Sequence, residues 1–454
     1  MNQVLNRRGL GKVGFKAWLS SHFALLSILF GSALFSFTAG PFQNWDTGLE
    51  FQAASAVMKY GVPFNANAGT MFNQPPMGFY IDSLAFRIFG LSINTGVAVV
   101  TCFGLGCTVL VYLIGKAWYG KLTGLVASAI FAVTPWQVIL SRSFLIDAQC
   151  LFFSLLFLLI GYYAIRKNSL WLFTLSGVFF GVALMTKLFA ILMLFPLAIL
   201  YFHYKPKKLW NPLPVLYFSL PVIVLLQIWY HDVLRCNILT IFWQDDFKNY
   251  NSPASMPSGF FTLNFLLGAL GAFFLAAVII SLLVSSFQTK LFRNVLTADL
   301  TCLATIILVV GLDTFLGWGL NFSAPFTSAV KYDYQALPFL CLLAGSVLTK
   351  CQRLFKALET KLSRGKLLFG AACLGVACLA IAVASNLSDV NLYSRLDTVA
   401  FNVQGTVSYG FSNSSKLVES NGLIYLQYAG FALLILGLIW AVKENLIKPK
   451  SAAE

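Results

Sequence analysis

Charged side chains are what this sequence has least of. Of its 454 residues, 10% are charged and 58% are hydrophobic. Soluble globular domains carry about 25% charged residues, so the composition excludes an ordinary soluble fold and indicates a chain that lies in a lipid bilayer. The net charge of +15 would suit a nucleic-acid-binding protein, but the basic residues fall in short clusters between apolar runs. That pattern is typical of the cytoplasmic loops of membrane proteins, and we expect no nucleic-acid partner.

Metal ligands and nucleotide-binding motifs are also scarce. The chain has three histidines without the spacing of metal ligands, and its nine cysteines form no CxxC motif. This argues against a zinc site and against a disulfide framework. Walker A, GxSxG and HExxH sequences are missing, so a nucleotide donor has little support. We predict no metal site and no certain cofactor, and leave participation of a divalent cation open.

Long apolar runs dominate the chain. About twelve of them reach the length needed to cross a bilayer. They lie near 18–40, 95–115, 122–140, 145–165, 170–187, 189–204, 212–231, 260–287, 299–320, 334–349, 366–386 and 422–442. The first run is too long for a signal peptide, so we expect an uncleaved span. The pattern predicts an all-α polytopic membrane protein, with one domain at 18–442 between cytoplasmic tails at 1–17 and 443–454.

The segment 77–92 decides the topology. It follows Pro75-Pro76, is short, and carries Asp82 and Arg87. If it does not span and the N-terminus is cytoplasmic, most Lys and Arg clusters fall inside; if it spans, every later cluster changes sides. We therefore predict a helix that lies at the outer interface. The long outer loops are then 41–94, 232–259 and 387–421, and most of the acidic residues lie outside.

Acidic residues beside the spans are the main candidates for chemistry. Asp46, in NWDTGLEF, suits either a helix cap or a general base partly desolvated by aromatic neighbours. Glu50 lies one helical turn further on and shares its face. Asp147, in SRSFLIDAQCLFF, either pairs with Arg142 to anchor a tight turn or provides a second outer-face carboxylate.

Isolated cations are the second group of candidates. Lys187, in LMTKLFA, interrupts an apolar stretch. It either extends along the lipid to reach water or holds a phosphate group. The same two interpretations apply to Lys331 and Tyr332, in KYDYQALP. His231 opens the middle outer loop.

The order of these motifs resembles that of a known superfamily. WDTGLEF, NQPPMGFY, SRSFLIDAQCLFF and WLFTLSGVFFGVALMTKLFAILMLFPL together are similar to the GT-C glycosyltransferases, in the branch of protein O-mannosyltransferases and lipid A aminoarabinose transferases. The similarity covers 18–235 well and the C-terminal half by layout and by KYDYQALP. It implies a polyprenyl-phosphate (dolichyl-phosphate-type) sugar donor, a hexosyl or mannosyl group, and inverting transfer to a hydroxyl of a lipid, glycan or protein on the extracytoplasmic face.

The resemblance also implies roles for individual residues. Asp46 would be the general base, with Asp147 and Glu50 as further acids of the catalytic site. Cations and a tyrosine would bind the donor phosphate, and two polar residues would line the substrate cavity. The phosphate-binding residues are Lys187, Arg142, Lys331 and Tyr332, and the cavity residues are Gln74 and His231.

The sequence departs from the family pattern at two positions. Thr47 follows Asp46 where relatives often have Glu, and Gln74 replaces the Lys of a Lys-Pro-Pro motif. The second change removes a cation near the phosphate, and Arg142 is the candidate to replace it.

Two other classes of function stay open. A secondary transporter commonly has twelve spans with both termini inside. However, the two halves of this chain show no matching pattern, and its polar groups cluster at one face. A non-catalytic membrane scaffold is the third interpretation. For all three we expect a multi-pass protein of the cell (plasma) membrane, in contact with membrane lipids.

Overall fold

The chain folds into a bundle of α-helices. The computed structural model describes residues 15–38, 45–65, 70–71, 74–204, 212–233, 278, 281–282, 293–319, 334–358 and 421–443. The α-helices are α1 (Phe15–Thr38), α2 (Trp45–Tyr60), α3 (Met77–Phe89), α4 (Ile93–Trp118), α5 (Lys121–Val133), α6 (Pro135–Leu140), α7 (Asp147–Lys167), α8 (Leu170–Thr186), α9 (Leu194–Tyr204), α10 (Pro212–Leu226), α11 (Arg293–Gly319), α12 (Leu337–Leu358) and α13 (Asn421–Val442).

Short irregular elements connect some of these helices. Turns of 3₁₀-helix, Leu188–Met193 and Tyr334–Ala336, precede α9 and α12, and a π-helical segment, Gln227–Val233, follows α10. Two strands of two residues each, β1 (Phe64–Asn65) and β2 (Thr70–Met71), pair antiparallel between α2 and α3. This small hairpin is the one departure from the all-α prediction in the described part of the chain.

Three described helices are long and apolar enough to cross a membrane: Ile93–Trp118, Asp147–Lys167 and Pro212–Tyr230. Helices suit this environment because they satisfy their backbone hydrogen bonds internally. The predicted runs at 95–115, 145–165 and 212–231 therefore correspond to helices. The count of about twelve stays a prediction, because 366–386 and nearly all of 260–287 lie outside the described residues.

One predicted span is wrong as a single helix. The run 122–140 divides into α5 and α6, because Thr134 adopts an extended conformation before Pro135. Proline disfavours helical geometry in the residue that precedes it and provides no backbone donor. The Thr134 hydroxyl donates to the carbonyl oxygen of Phe131 (2.8 Å) and satisfies part of the helix end.

The bundle has two distinct ends. Helices α7 and α8 form an antiparallel hairpin around Asn168, which has a left-handed conformation (φ 54°). Asp147 and Lys187 meet at one end of this hairpin, which we call the Asp147 end. At the other end the Arg166 guanidinium lies 4.9 Å from the ring centre of Tyr204, and we call this the Arg166 end.

Helices α2 and α3 pack together at the Asp147 end. Phe51 of α2, Phe86 of α3 and Phe144, which precedes α7, form an aromatic cluster with ring centroids 5.4–5.9 Å apart. Helix α3 also approaches α7 closely, because a Cβ atom on Gly78 would lie 2.6 Å from a methyl group of Ile146. These contacts hold α2 and α3 against the start of α7.

Helix α3 is amphipathic and short. Its 13 residues extend about 20 Å, whereas a hydrocarbon core is about 30 Å thick. Phe79, Asp82 and Phe86 are buried, while Leu84 and Ile88 are exposed. This is the pattern expected of a helix at a membrane interface, as the sequence predicts for 77–92.

A second buried ion pair lies at the Arg166 end. Lys350 Nζ lies 2.7 Å from Asp299 Oδ2, and Tyr119 donates from its hydroxyl to Asp299 Oδ1 (2.9 Å). Lys350 also donates to the carbonyl oxygen of Ser281 (3.1 Å). The pair therefore joins α11 and α12 to the connection between α4 and α5.

Candidate active site at the Asp147 end

The centre of the candidate site is the ion pair of Asp147 and Lys187. Lys187 Nζ lies 2.7 Å from Asp147 Oδ1, and both side chains are buried. Asp147 is the first residue of α7, where a carboxylate is favoured by the helix dipole. Lys187 is extended (φ −158°, ψ 131°) at the break between α8 and the following 3₁₀-helix. It is thus a buried, ion-paired cation and does not extend along the lipid to water.

Glu50 joins α2 to the same place. It is 1% exposed, and its Oε2 accepts a hydrogen bond from the backbone N–H of Ile146 (2.9 Å), the residue before α7. This contact fixes the N-terminus of α7 against α2. Arg142, in the turn between α6 and α7, is also buried. The sequence-predicted Asp147, Glu50, Arg142 and Lys187 therefore all lie at, or beside, the start of α7 or the end of α8.

The other predicted residues are described less fully. Asp46 is the second residue of α2, one helical turn before Glu50, which places its backbone at the Asp147 end. His231 lies in the π-helical segment after α10. Gln74 is half-buried just before Pro75, and its Oε1 accepts no hydrogen bond from the described residues. Lys331 and Tyr332 lie outside the described residues.

The structure shows a third buried carboxyl near the site, which the sequence did not select. Asp82 of α3 is 1% exposed, and its Oδ1 accepts a hydrogen bond from Gln149 Nε2 (2.7 Å). Burial raises the pKa of Asp82 well above its usual value, and the hydrogen bond from Gln149 opposes that shift. Asp82 therefore holds a proton more readily than an ordinary aspartate, and it links α3 to α7.

A second addition is Gln335, which the sequence contains in KYDYQALP. Its Nε2 donates to the sulfur of Cys150 (3.5 Å), and Cys150 in turn donates to the carbonyl oxygen of Lys187 (3.9 Å). Gln335 therefore brings the start of α12 to the Asp147–Lys187 pair. Within the described part of the chain, no three His, Cys, Asp or Glu side chains are grouped so that they could hold a metal ion.

Comparison with known proteins gives a partial family match. Residues 73–231 match the model of the dolichyl-phosphate-mannose-protein mannosyltransferase family. The chain is 31% identical over 140 residues to YkcB of Bacillus subtilis (strain 168), named only provisionally as a mannosyltransferase. It is 29% identical over 169 residues to an uncharacterized protein of Aquifex aeolicus (strain VF5). These matches cover 31% and 35% of the chain, but only 19% and 39% of the two relatives.

Solved structures share the fold over most of the chain. ArnT from Cupriavidus metallidurans in the apo state is similar with a TM-score of 0.56 and 17% identity, over 95% of this chain and 78% of ArnT. ArnT bound to undecaprenyl phosphate is similar with a TM-score of 0.54 and 18% identity, over 94% of this chain and 77% of ArnT. A third similar structure is the oligosaccharyltransferase AglB from Archaeoglobus fulgidus, in complex with an inhibitory peptide and a dolichol-phosphate. Its TM-score is 0.50 and its identity 13%, over 85% of this chain and 56% of AglB.

The fold and the partial family match agree with each other. The chain has the fold of the GT-C superfamily of membrane glycosyltransferases, which confirms the resemblance predicted from its motifs. The segment that matches the mannosyltransferase family contains five of the nine predicted site residues: Gln74, Arg142, Asp147, Lys187 and His231. Most of the candidate site thus falls in the part of the chain with a recognisable family.

Proposed function

We propose that the protein is a glycosyltransferase that moves a sugar from a polyprenyl-phosphate donor to an acceptor hydroxyl at the Asp147 end of the bundle. The observation that carries this proposal is the buried pair of Lys187 and Asp147, held beside Glu50 at the start of α7. A charge buried in a membrane protein is costly and commonly marks a functional site. Structural neighbours that contain undecaprenyl phosphate or a dolichol-phosphate support a lipid-phosphate donor.

The reaction needs a base and a cationic phosphate site. The acceptor oxygen attacks the anomeric carbon and forms the new glycosidic bond, while its proton passes to Asp46. The bond between the anomeric carbon and the phosphate oxygen breaks, and the phosphate leaves with the electron pair on the face opposite to attack, so that the configuration inverts. A general base and preorganised cations provide these two functions.

Each remaining candidate has a place in this scheme. Lys187 and Arg142 would stabilise the charge on the leaving phosphate, together with Lys331 and Tyr332. Asp147 would orient Lys187 and border the sugar. Gln74 and His231 would line the cavity through which the substrates enter. The family description favours a mannosyl group, and the acceptor is a lipid, a glycan or a protein.

The charge distribution supports an extracytoplasmic site. Lys116 lies in the last turn of α4, Arg166 and Lys167 lie in the last turn of α7, and Lys443 follows α13. The Tyr162 hydroxyl, near the Arg166 end, donates to the carbonyl oxygen of Ala117 (3.2 Å), so the ends of α4 and α7 lie together. Clusters of Lys and Arg mark the cytoplasmic side. The Asp147 end would then face away from the cytoplasm, where lipid-linked donors rather than nucleotide donors would serve the reaction.

Transfer of label from a radioactive polyprenyl-phosphate mannose would test the proposal. The purified protein should move the label to an acceptor, and Asp46→Asn should reduce the rate by about 100-fold or more, because that change removes a general base. Asp82→Asn is the control, since it changes another carboxyl at the same end of the bundle and should keep the activity. Equal rates for wild type and Asp46→Asn would eliminate Asp46 as the base.

The same assay separates the competing functions. A transporter would move the labelled lipid or another solute without breaking the sugar–phosphate bond. A scaffold would leave the label on the lipid under every condition. Release of the label from the lipid only when the protein and an acceptor are both present is the result expected for a transferase.

A further inference from the structure

The side chain of Gln335 is held in one orientation beside the Asp147–Lys187 pair. Gln335 is 5% exposed and lies in the 3₁₀ turn before α12. The Cys150 thiol donates to the Lys187 carbonyl, so the sulfur is left to accept from Gln335 Nε2. This chain of hydrogen bonds assigns the amide nitrogen to the sulfur side and leaves the amide oxygen on the other side.

The neighbouring Tyr334 belongs to a separate hydrogen-bond network. The Tyr334 hydroxyl donates to Gln137 Oε1, and Gln137 Nε2 donates to the carbonyl oxygen of Gly104 (3.0 Å). Gln137 therefore uses both ends of its amide in contacts that join α6, α4 and the start of α12. The side chain of Gln335 takes no part in this network and contacts Cys150 instead.

Two buried acceptors beside the ion pair have no donor within the described residues: Gln335 Oε1 and Asp147 Oδ2. Asp147 and Cys150 are one helical turn apart on α7, so the two acceptors border the same face of that helix. A buried acceptor without a hydrogen bond costs free energy, and native proteins contain few of them. The arrangement is explained if a ligand provides the missing donors.

The chemistry of the acceptors identifies the part of the substrate that they contact. An ionised phosphate offers only acceptor oxygens, so it would be repelled by Gln335 Oε1 and Asp147 Oδ2. Sugar hydroxyls are donors and match both atoms. Because Lys187 neutralises Asp147, the Asp147 carboxylate does not by itself attract a cationic amino sugar.

We propose that Gln335 and Asp147 accept hydrogen bonds from hydroxyl groups of an uncharged hexose, and that Gln335 determines which hydroxyl the donor must carry. The proposal rests on the proposed function, because it assigns the sugar subsite of the same reaction. Gln335 is then a specificity-determining residue, whereas Lys187 acts on the phosphate.

Competition binding with monodeoxy donors would test this assignment. The labelled parent donor is bound to wild type, Gln335→Leu or Gln137→Leu. Unlabelled competitors then displace it: polyprenyl-phosphate mannose, polyprenyl-phosphate glucose and the monodeoxy analogues of both. In wild type, we expect removal of one particular hydroxyl to weaken binding by about 10-fold or more, as sites that hydrogen-bond a substrate group discriminate strongly against its loss. In Gln335→Leu, removal of that same hydroxyl should have no further effect.

Gln137→Leu is the matched control, because Gln137 is also a buried glutamine in contact with this turn but has partners at both ends of its amide. It should lower thermal stability and keep the wild-type preference among the deoxy analogues. An analogue that carries an ammonium group in place of the critical hydroxyl should bind wild type no better than the deoxy analogue does.

The outcomes separate this inference from the proposed function. If Gln335→Leu weakens all donors equally or keeps the wild-type preference, or if the ammonium analogue binds more tightly, the inference is overturned while the proposed function stands. If the expected binding pattern is seen but no label is ever transferred, the proposed function fails and the sugar subsite is supported. If wild type binds none of the lipid-linked sugars, both fail.

Discussion

Lys187 and Lys350 are two buried lysines with the same local geometry and, we propose, different purposes. Each Nζ lies 2.7 Å from an aspartate oxygen, and each pair is almost fully buried. One pair lies at the Asp147 end and the other at the Arg166 end. Comparison of the two therefore separates the structural effect of a buried ion pair from its effect on substrate binding.

We predict that Lys187→Met and Lys350→Met both destabilise the protein, by about 3–5 kcal/mol, because each removes the ammonium partner of a buried carboxylate. Only Lys187→Met should also lose binding of undecaprenyl phosphate. Thermal unfolding in detergent measures the first effect, and equilibrium binding of the labelled lipid phosphate at a temperature where both variants are folded measures the second. Equal loss of binding in the two variants would contradict a phosphate-binding role for Lys187.

Asp147 and Lys187 of the candidate site could be selected from the sequence, whereas Asp82, Gln149 and Gln335 could not. Asp147 and Lys187 stand out because ionised groups are rare and costly in apolar segments. Gln149 and Gln335 carry no charge, and a buried glutamine with an unused acceptor looks the same in the sequence as one with every partner satisfied, such as Gln137. Which state applies depends on contacts between helices that are far apart in the chain.

At the scale of elements, α3 is a helix whose docking we expect to depend on pH. It contacts the start of α7 through the hydrogen bond from Gln149 to Asp82, and burial raises the pKa of Asp82. In the unfolded chain Asp82 ionises near its usual pKa of about 3.9, while in the folded chain it keeps its proton to a higher pH. Its contribution to stability is therefore complete below about pH 3.9 and decreases as the pH rises from there towards the pKa in the folded state.

We predict that Asp82→Asn raises the thermal stability of the protein at neutral pH. Asparagine keeps an oxygen that can accept from Gln149 and cannot ionise, so it avoids the cost of either burying a charge or taking up a proton. The difference in melting temperature between variant and wild type should shrink as the pH falls towards 4. A constant difference across this range would show that Asp82 does not have a raised pKa.

The helices of the described part could mostly be predicted, but their interruptions were harder to recognise. Hydropathy does not distinguish a continuous span at 122–140 from the pair α5 and α6, because the break depends on backbone geometry at Thr134 and Pro135 rather than on polarity. The break at Lys187 was easier to find, since a charge marks it. The interfacial position of 77–92 was predicted from the charges of distant loops and stays a prediction, with which the short length of α3 agrees.

At the scale of the whole molecule, the two ends of the bundle differ in charge and in proposed purpose. Lys59 is exposed near the end of α2, and Lys443 is exposed just after α13. If the Asp147 end is extracytoplasmic, these two lysines lie on opposite sides of the membrane. This orientation rests on the distribution of basic clusters, and it is open to a direct test.

We predict that Lys59→Cys reacts with a membrane-impermeant maleimide in intact cells, whereas Lys443→Cys reacts only after the cells are made permeable. The measurement needs a background in which the native cysteines are replaced, since Cys102 is exposed on α4. Labelling of Lys443→Cys in intact cells, with Lys59→Cys protected, would reverse the orientation and place the Asp147 end in the cytoplasm.

The hairpin of α7 and α8 has a consequence for how the protein is made. Asp147 and Lys187 are 40 residues apart, and the hairpin turn at Asn168 brings their ends together without help from α11, α12 or α13. When the ribosome has produced about half of the chain, the two opposite charges can already neutralise each other, so that neither helix enters the lipid with an unpaired ion. The later helices would then dock onto a half of the chain in which the Asp147–Lys187 pair has already formed.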